Sequence, residues 1–89
     1  CPKALVEIAE HAGLADRLAL AAALRGRRET SCYPVIAGFL CAEELELRKV
    51  AGEALRLAVG ERIPFQAHWP RSRRLDAASA LRSLHNRKP

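Results

Sequence analysis

RKVAGEALR, residues Arg48–Arg56, has the skeleton Arg-x-x-Ala-x-x-Ala-Leu-Arg, and the same skeleton returns as RLDAASALR at Arg74–Arg82. A looser copy, RLALAAALR, runs from Arg17 to Arg25 with Leu20 in the first alanine slot. Wound at about 100° per residue, slots four, seven, eight and eleven fall on one helical face. These are Ala51, Ala54, Leu55 and Ala58 in one copy, and Ala77, Ala80, Leu81 and Leu84 in another. Slot five is small each time, as Ala21, Gly52 and Ala78. Small residues beside one leucine let a neighbouring helix approach closely. The opening arginine falls at the margin of that face, where its stem packs while its guanidinium stays wet or meets a carboxylate. The repeat therefore reads as packing rather than chemistry.

Composition points the same way. Forty-nine per cent of the 89 residues are apolar, but only two Phe, one Trp and one Tyr are aromatic. Alanine and leucine must fill the core, which favours close helix–helix contact over a sheet. A chain of this size buries only about 60–65% of the surface its unfolded form exposes, so that core is thin. The expected fold class is all-α, in one domain over residues 1–89.

Five helices are expected along the chain. Pro2 suits the opening of a first helix reaching Ala12, with Leu5, Ile8, Ala9 and Ala12 as its apolar stripe. Gly13 interrupts, and a second helix runs from Leu14 to Arg25, closed by Gly26. Ser31 reads as the N-cap of a third helix with Pro34 in its first turn. Its segment CYPVIAGFLC is apolar on almost every side, which marks it as the most buried element. Glu43, Glu44 and Glu46 suit the start of a fourth helix, where the dipole favours negative charge; it stops at Gly60. GERIPFQAHWP is irregular, with Ile63, Phe65 and Trp69 expected to fold back over helix ends. A fifth helix begins at Pro70 or Ser72 and reaches Leu84.

Three cysteines, Cys1, Cys32 and Cys41, lack a CxxC spacing and read as reduced, buried thiols of a cytoplasmic protein. Cys1 at the chain start fits either a trimmed end or the acylated first residue of a mature bacterial lipoprotein. No run of residues is apolar for the 18 or so positions of a membrane span. Residues 1–60 balance eight basic against eight acidic side chains, while residues 61–89 hold seven against two, which is the whole net charge of +5. Arg71, Arg73 and Arg74 crowd the start of the fifth helix, and Arg82, Arg87 and Lys88 extend the field towards the tail. These six are the candidate anion- or partner-binding residues.

The skeleton copies are offset by 31 residues (17 to 48) and 26 residues (48 to 74). With one helix pair per unit, the pattern resembles HEAT-type repeats, including the variant found in bacterial phycobilisome lyase-like proteins. In that family a first helix turns into a second carrying Arg-x-x-Ala-x-x-Ala-Leu, and Tyr33–Gly60 fits best, with VIAGFL as the first helix and ELRKVAGEALRLAVG as the second. The resemblance implies a short right-handed HEAT-like solenoid of about five helices, standing alone or as a fragment of a longer array. Its helix pairs would be residues 1–31 and 32–60, followed by a terminal cap over 61–89. The alternative is an irregular four- or five-helix bundle. Glu43 and Glu44 stand where the family usually has Asp, which puts a pairing between that turn and Arg48 in doubt.

No nucleophile elbow, glycine-rich phosphate loop or metal-ligand spacing is present in the sequence. The expectation is a non-enzymatic module without cofactor that binds another protein. The alternative is binding of a nucleic-acid phosphate backbone, or another acidic surface, through the basic final third. A lyase or chaperone-like accessory role would need an acidic or aromatic pocket, which the sequence does not reveal.

Overall fold

The computed structural model describes residues 2–27 and 30–86. Among them are five α-helices: α1 (Lys3–His11), α2 (Leu14–Leu24), α3 (Tyr33–Leu40), α4 (Leu45–Val59) and α5 (Arg71–Asn86). Short 3-10 turns at Thr30–Cys32 and Gly60–Arg62 precede α3 and follow α4. No strand occurs among the described residues.

The helix limits follow from local chemistry. Pro2 has the extended backbone of a cap, and its carbonyl accepts from the N–H groups of Leu5 and Val6. At the other end of the pattern, Pro70 does the same for Arg73 and Arg74 at the start of α5. Ser31, expected to cap α3, lies instead within the 3-10 turn, and Cys32 occupies the cap position without a side-chain hydrogen bond. Gly60 ends α4 with φ 64° and ψ −137°, a backbone region that side chains with a Cβ rarely enter. Nothing lies within 4 Å of a Cβ built there, so Gly60→Ala should destabilise through conformation alone, by about 1–2 kcal/mol in urea unfolding.

α3 is the centre of the molecule. Tyr33, Val35, Ile36, Ala37, Phe39 and Leu40 are all buried, as its apolar run leads one to expect. It packs against α4 and α5, and to a smaller extent against α1 and α2. α2 lies along α4, and ion pairs tie Arg17 to Glu44 and Arg25 to Glu53. Those pairs match start with start and later turn with later turn, so α2 and α4 run parallel. The start of α5 meets the end of α3 through Arg74 and Ala42, and its end meets Thr30 through His85. α5 is therefore antiparallel to α3. The His85 contact, 2.8 Å from Nδ1 to the Thr30 carbonyl oxygen, requires the proton on Nδ1.

Within this frame the skeleton buries different slots in different helices. In α4 slots four, seven and eight are buried, as Ala51, Ala54 and Leu55. In α2 the buried slots are four, five and eight (Leu20, Ala21 and Leu24), and in α5 they are Ala77, Ala78 and Leu81. Slot seven, Ala23 or Ala80, is exposed in both. In α4 slot five is Gly52, half-buried beneath the loop that follows the helix. Phe65 lies over slot five, where a Cβ on Gly52 would come within 3.1 Å of its ring. The aromatic residues thus pack on the flank of α4, and Phe65 meets Trp69 edge-on at 6.2 Å between centroids. Of the expected folding-back, Ile63 is buried while Phe65 and Trp69 are half-buried.

Cys32 is buried and Cys41 half-buried, both as free thiols; Cys1 lies outside the described residues. Among the described residues no helix is long and apolar enough to cross a membrane.

Candidate partner-binding surface

The three opening arginines of the skeleton converge on one turn, residues 42–44 between α3 and α4. Arg48 uses one terminal nitrogen to donate to the carbonyls of Ala42 and Glu43, both at 2.8 Å, and its Nε to donate to Ala67 at 2.9 Å. Arg74 donates from Nε to the Trp69 carbonyl at 3.0 Å, with a longer reach of 3.4 Å to Ala42. Arg17 pairs with the Glu44 carboxylate at 2.8 Å, while its Nε is buried without a partner. A turn and a loop leave backbone carbonyls without helical partners, and a planar guanidinium satisfies several at once. Arg48 thus does bond to the turn, through its backbone rather than through a carboxylate.

The hydrogen bond from Arg17 and the Glu44 backbone N–H, followed by the nearby charges of Arg17 and Arg48, hold the Glu44 carboxyl below its ordinary value of 4.5. A depressed folded-state value means the stabilisation is present above the unfolded value and is lost as pH falls through the folded one. Glu44→Gln should therefore flatten the acid limb of the stability–pH profile below about pH 4.5, measured by thermal unfolding across a pH series.

The basic residues of α5 do not form a single patch. At about 100° per residue, Arg71 and Arg82 share one flank of the helix and Arg73 falls on the other. Arg71, Arg73 and Arg82 are exposed. The Arg73 guanidinium lies over the Trp69 ring, 5.3 Å from its centroid. A shallow hollow of about 260 Å³ adjoins them, lined also by Arg62 and Asp76, so an acidic residue already counters the positive charge there. Arg74 is half-buried, with its Nε turned to the Trp69 carbonyl. Arg87 and Lys88 lie outside the described residues.

A larger concavity lies elsewhere. A groove of about 500 Å³ runs over α3 between α1 and α5. Pro34, Gly38 and Ala42 recur every fourth residue and form its floor, with Phe39 beside them. Pro34 and Gly38 are exposed although the rest of α3 is almost wholly buried, and a Cβ on Gly38 would meet open space. Val6, Ala9 and Glu10 of α1 form one wall and Arg82 stands at the other. The apolar run of α3 predicts a helix buried on almost every side, and this strip departs from it. Pro34 and Gly38 lie one turn apart on α3, and Ala42 follows just past its end, a line without a large side chain. Because Gly38 has helical backbone and free space, Gly38→Ala should raise stability by about 0.5–1 kcal/mol in urea unfolding.

Comparison with protein-family models, with curated proteins and with solved structures returns no match for this chain.

Proposed function

We propose that the chain is a non-enzymatic protein-interaction module whose two helix pairs, α1/α2 and α3/α4, stack in HEAT-like fashion. The groove over α3 carries this reading. Apolar surface left open along the most buried helix of a small protein is the kind of feature that a partner covers. The parallel run of α2 beside α4 supports the stacking, since equivalent helices of successive repeats lie side by side in such arrays. α5 belongs to the third copy of the skeleton, yet it packs on α3. The 61–70 segment takes the place of a third first helix, and α5 closes the stack in its stead.

The phosphate-backbone reading is weaker in this arrangement. Its three clustered arginines divide between two flanks of α5 and the loop carbonyls. The test is photo-crosslinking in cells of the source organism, with the crosslinking residue placed in turn at Gly38, Leu57 and Arg71. A covalent adduct with a discrete protein from at least one position is expected. Adducts to nucleic acid alone, or none from any position, would reject the reading.

A further inference from the structure

Resting on that interaction reading, we infer that the groove over α3 takes an amphipathic helix of a partner protein, acidic on the flank beside α5 and basic on the flank beside α1. The floor is a furrow of small residues, Pro34 and Gly38 on the eight-residue α3 and Ala42 just past its end. That length is about 12 Å, two turns of an occupant, enough for apolar side chains at i, i+3 or i+4, and i+7. The groove stays open to solvent above, so the far side of an occupant remains wet and must be polar. An amphipathic helix meets both conditions.

The charges select among such helices. Arg82 stands at the α5 rim and Glu10 at the α1 rim. Among the described residues neither has an ion-pair partner, in contrast to Arg17, which is tied to Glu44 at the end of the same groove. Opposite signs on the two rims disfavour a uniformly acidic or uniformly basic helix, since one rim repels each. A fatty acyl chain could place its carboxylate at Arg82 but leaves Glu10 without a counterpart. Because the two flanks of a helix exchange when it is turned end for end, the rim charges also set the direction in which an occupant lies.

The experiment is selection from a displayed library of amphipathic peptides of about fourteen residues, roughly four helical turns, against the full chain. Selected peptides should carry Asp or Glu on one flank and Lys or Arg on the other. Repeating the selection on Arg82→Glu should convert the acidic flank to a basic one, and on Glu10→Lys the basic flank to an acidic one. Gly38→Trp fills the furrow at a position with open space, so it should keep the helical circular dichroism and weaken the selected peptides at least about tenfold. The inference is overturned by peptides whose flanks ignore both reversals, by binding that Gly38→Trp leaves unchanged, or by a library that returns no binder. It is also overturned if palmitate binds the unmodified chain, is displaced by Gly38→Trp, and no peptide does the same. A partner crosslinked through Leu57 or Arg71 alongside any of these results would leave the interaction reading standing and move it to another face.

Discussion

Arg48→Ala should lower the unfolding free energy by about 3 kcal/mol. The side chain joins three carbonyls, those of Ala42, Glu43 and Ala67, at 2.8–2.9 Å. Hydrogen bonds to a charged donor are worth about 1.5–3 kcal/mol each, but these are partly open to water and share one side chain, so the sum is discounted to the value of one strong bond plus the orphaned carbonyls. The loss reaches beyond the turn, because the bond to Ala67 fastens the 61–70 loop to α4. With that bond gone, Phe65 should lose its seat over Gly52, and the loop amides should exchange with solvent earlier than those of α4. Lysine cannot reproduce the fork, so Arg48→Lys should recover only the packing of the stem. Urea unfolding followed by circular dichroism reads the size, and hydrogen exchange reads the place.

The second large effect is expected at Leu81→Ala, about 3–4 kcal/mol. Leu81 is fully buried at 0% exposure, on the face that α5 turns to α3. Leu→Ala substitutions at such sites cost about 2.7–5 kcal/mol, the transfer term plus the cavity left behind. The other buried residues of α5 among those described, Ala77 and Ala78, are alanines, which contribute little apolar area. A protein of this length has a total stability of roughly 5–10 kcal/mol, so a loss of this size concentrated on one helix should release that helix first. The expected result is early hydrogen exchange over α5 while α3 and α4 remain protected. Uniform loss across all helices would mean that α5 is an inseparable part of the core.

Much of the fold was legible in the residues because the signals were local. Apolar spacing gives the helices, Gly13 and Gly60 break them, and Pro2 and Pro70 open them; the ends of α4 and α5 fall within two residues of expectation. Three features depend on what lies beside a helix and so escaped a reading along the chain. The buried face of the skeleton takes in slot seven in α4 but slot five in α2 and α5. Arg71, Arg73 and Arg74 are neighbours in sequence, but side chains one and two positions apart on a helix point in different directions. Their crowding therefore never becomes a patch, and Arg74 belongs to the loop. The groove is missed for a similar cause. Its floor is a line of small residues on α3 and just past its end, and only the placement of α1 and α5 on either side makes that line concave.

The doubt about a turn-to-Arg48 pairing resolves on the same physics. A search for carboxylate partners cannot find Arg48's contacts, since they are backbone oxygens that every residue carries. The carboxylate in the turn does have a partner, but it is Arg17, which arrives from α2. The Arg25–Glu53 pair, with both side chains more than 40% exposed, adds little beside it. The repeated arginine is in this way a framework residue in all three copies, through three different bonds.

Paired lysine substitutions separate a framework arginine from a surface one. Arg48→Lys and Arg71→Lys each keep the charge and remove the guanidinium fork, one at a residue bonded to three carbonyls and the other at an exposed residue. Urea unfolding should show Arg48→Lys about 2 kcal/mol less stable and Arg71→Lys within about 0.5 kcal/mol of the unmodified chain. Equal stabilities for the two variants, or a larger loss at Arg71, would contradict the framework role of Arg48.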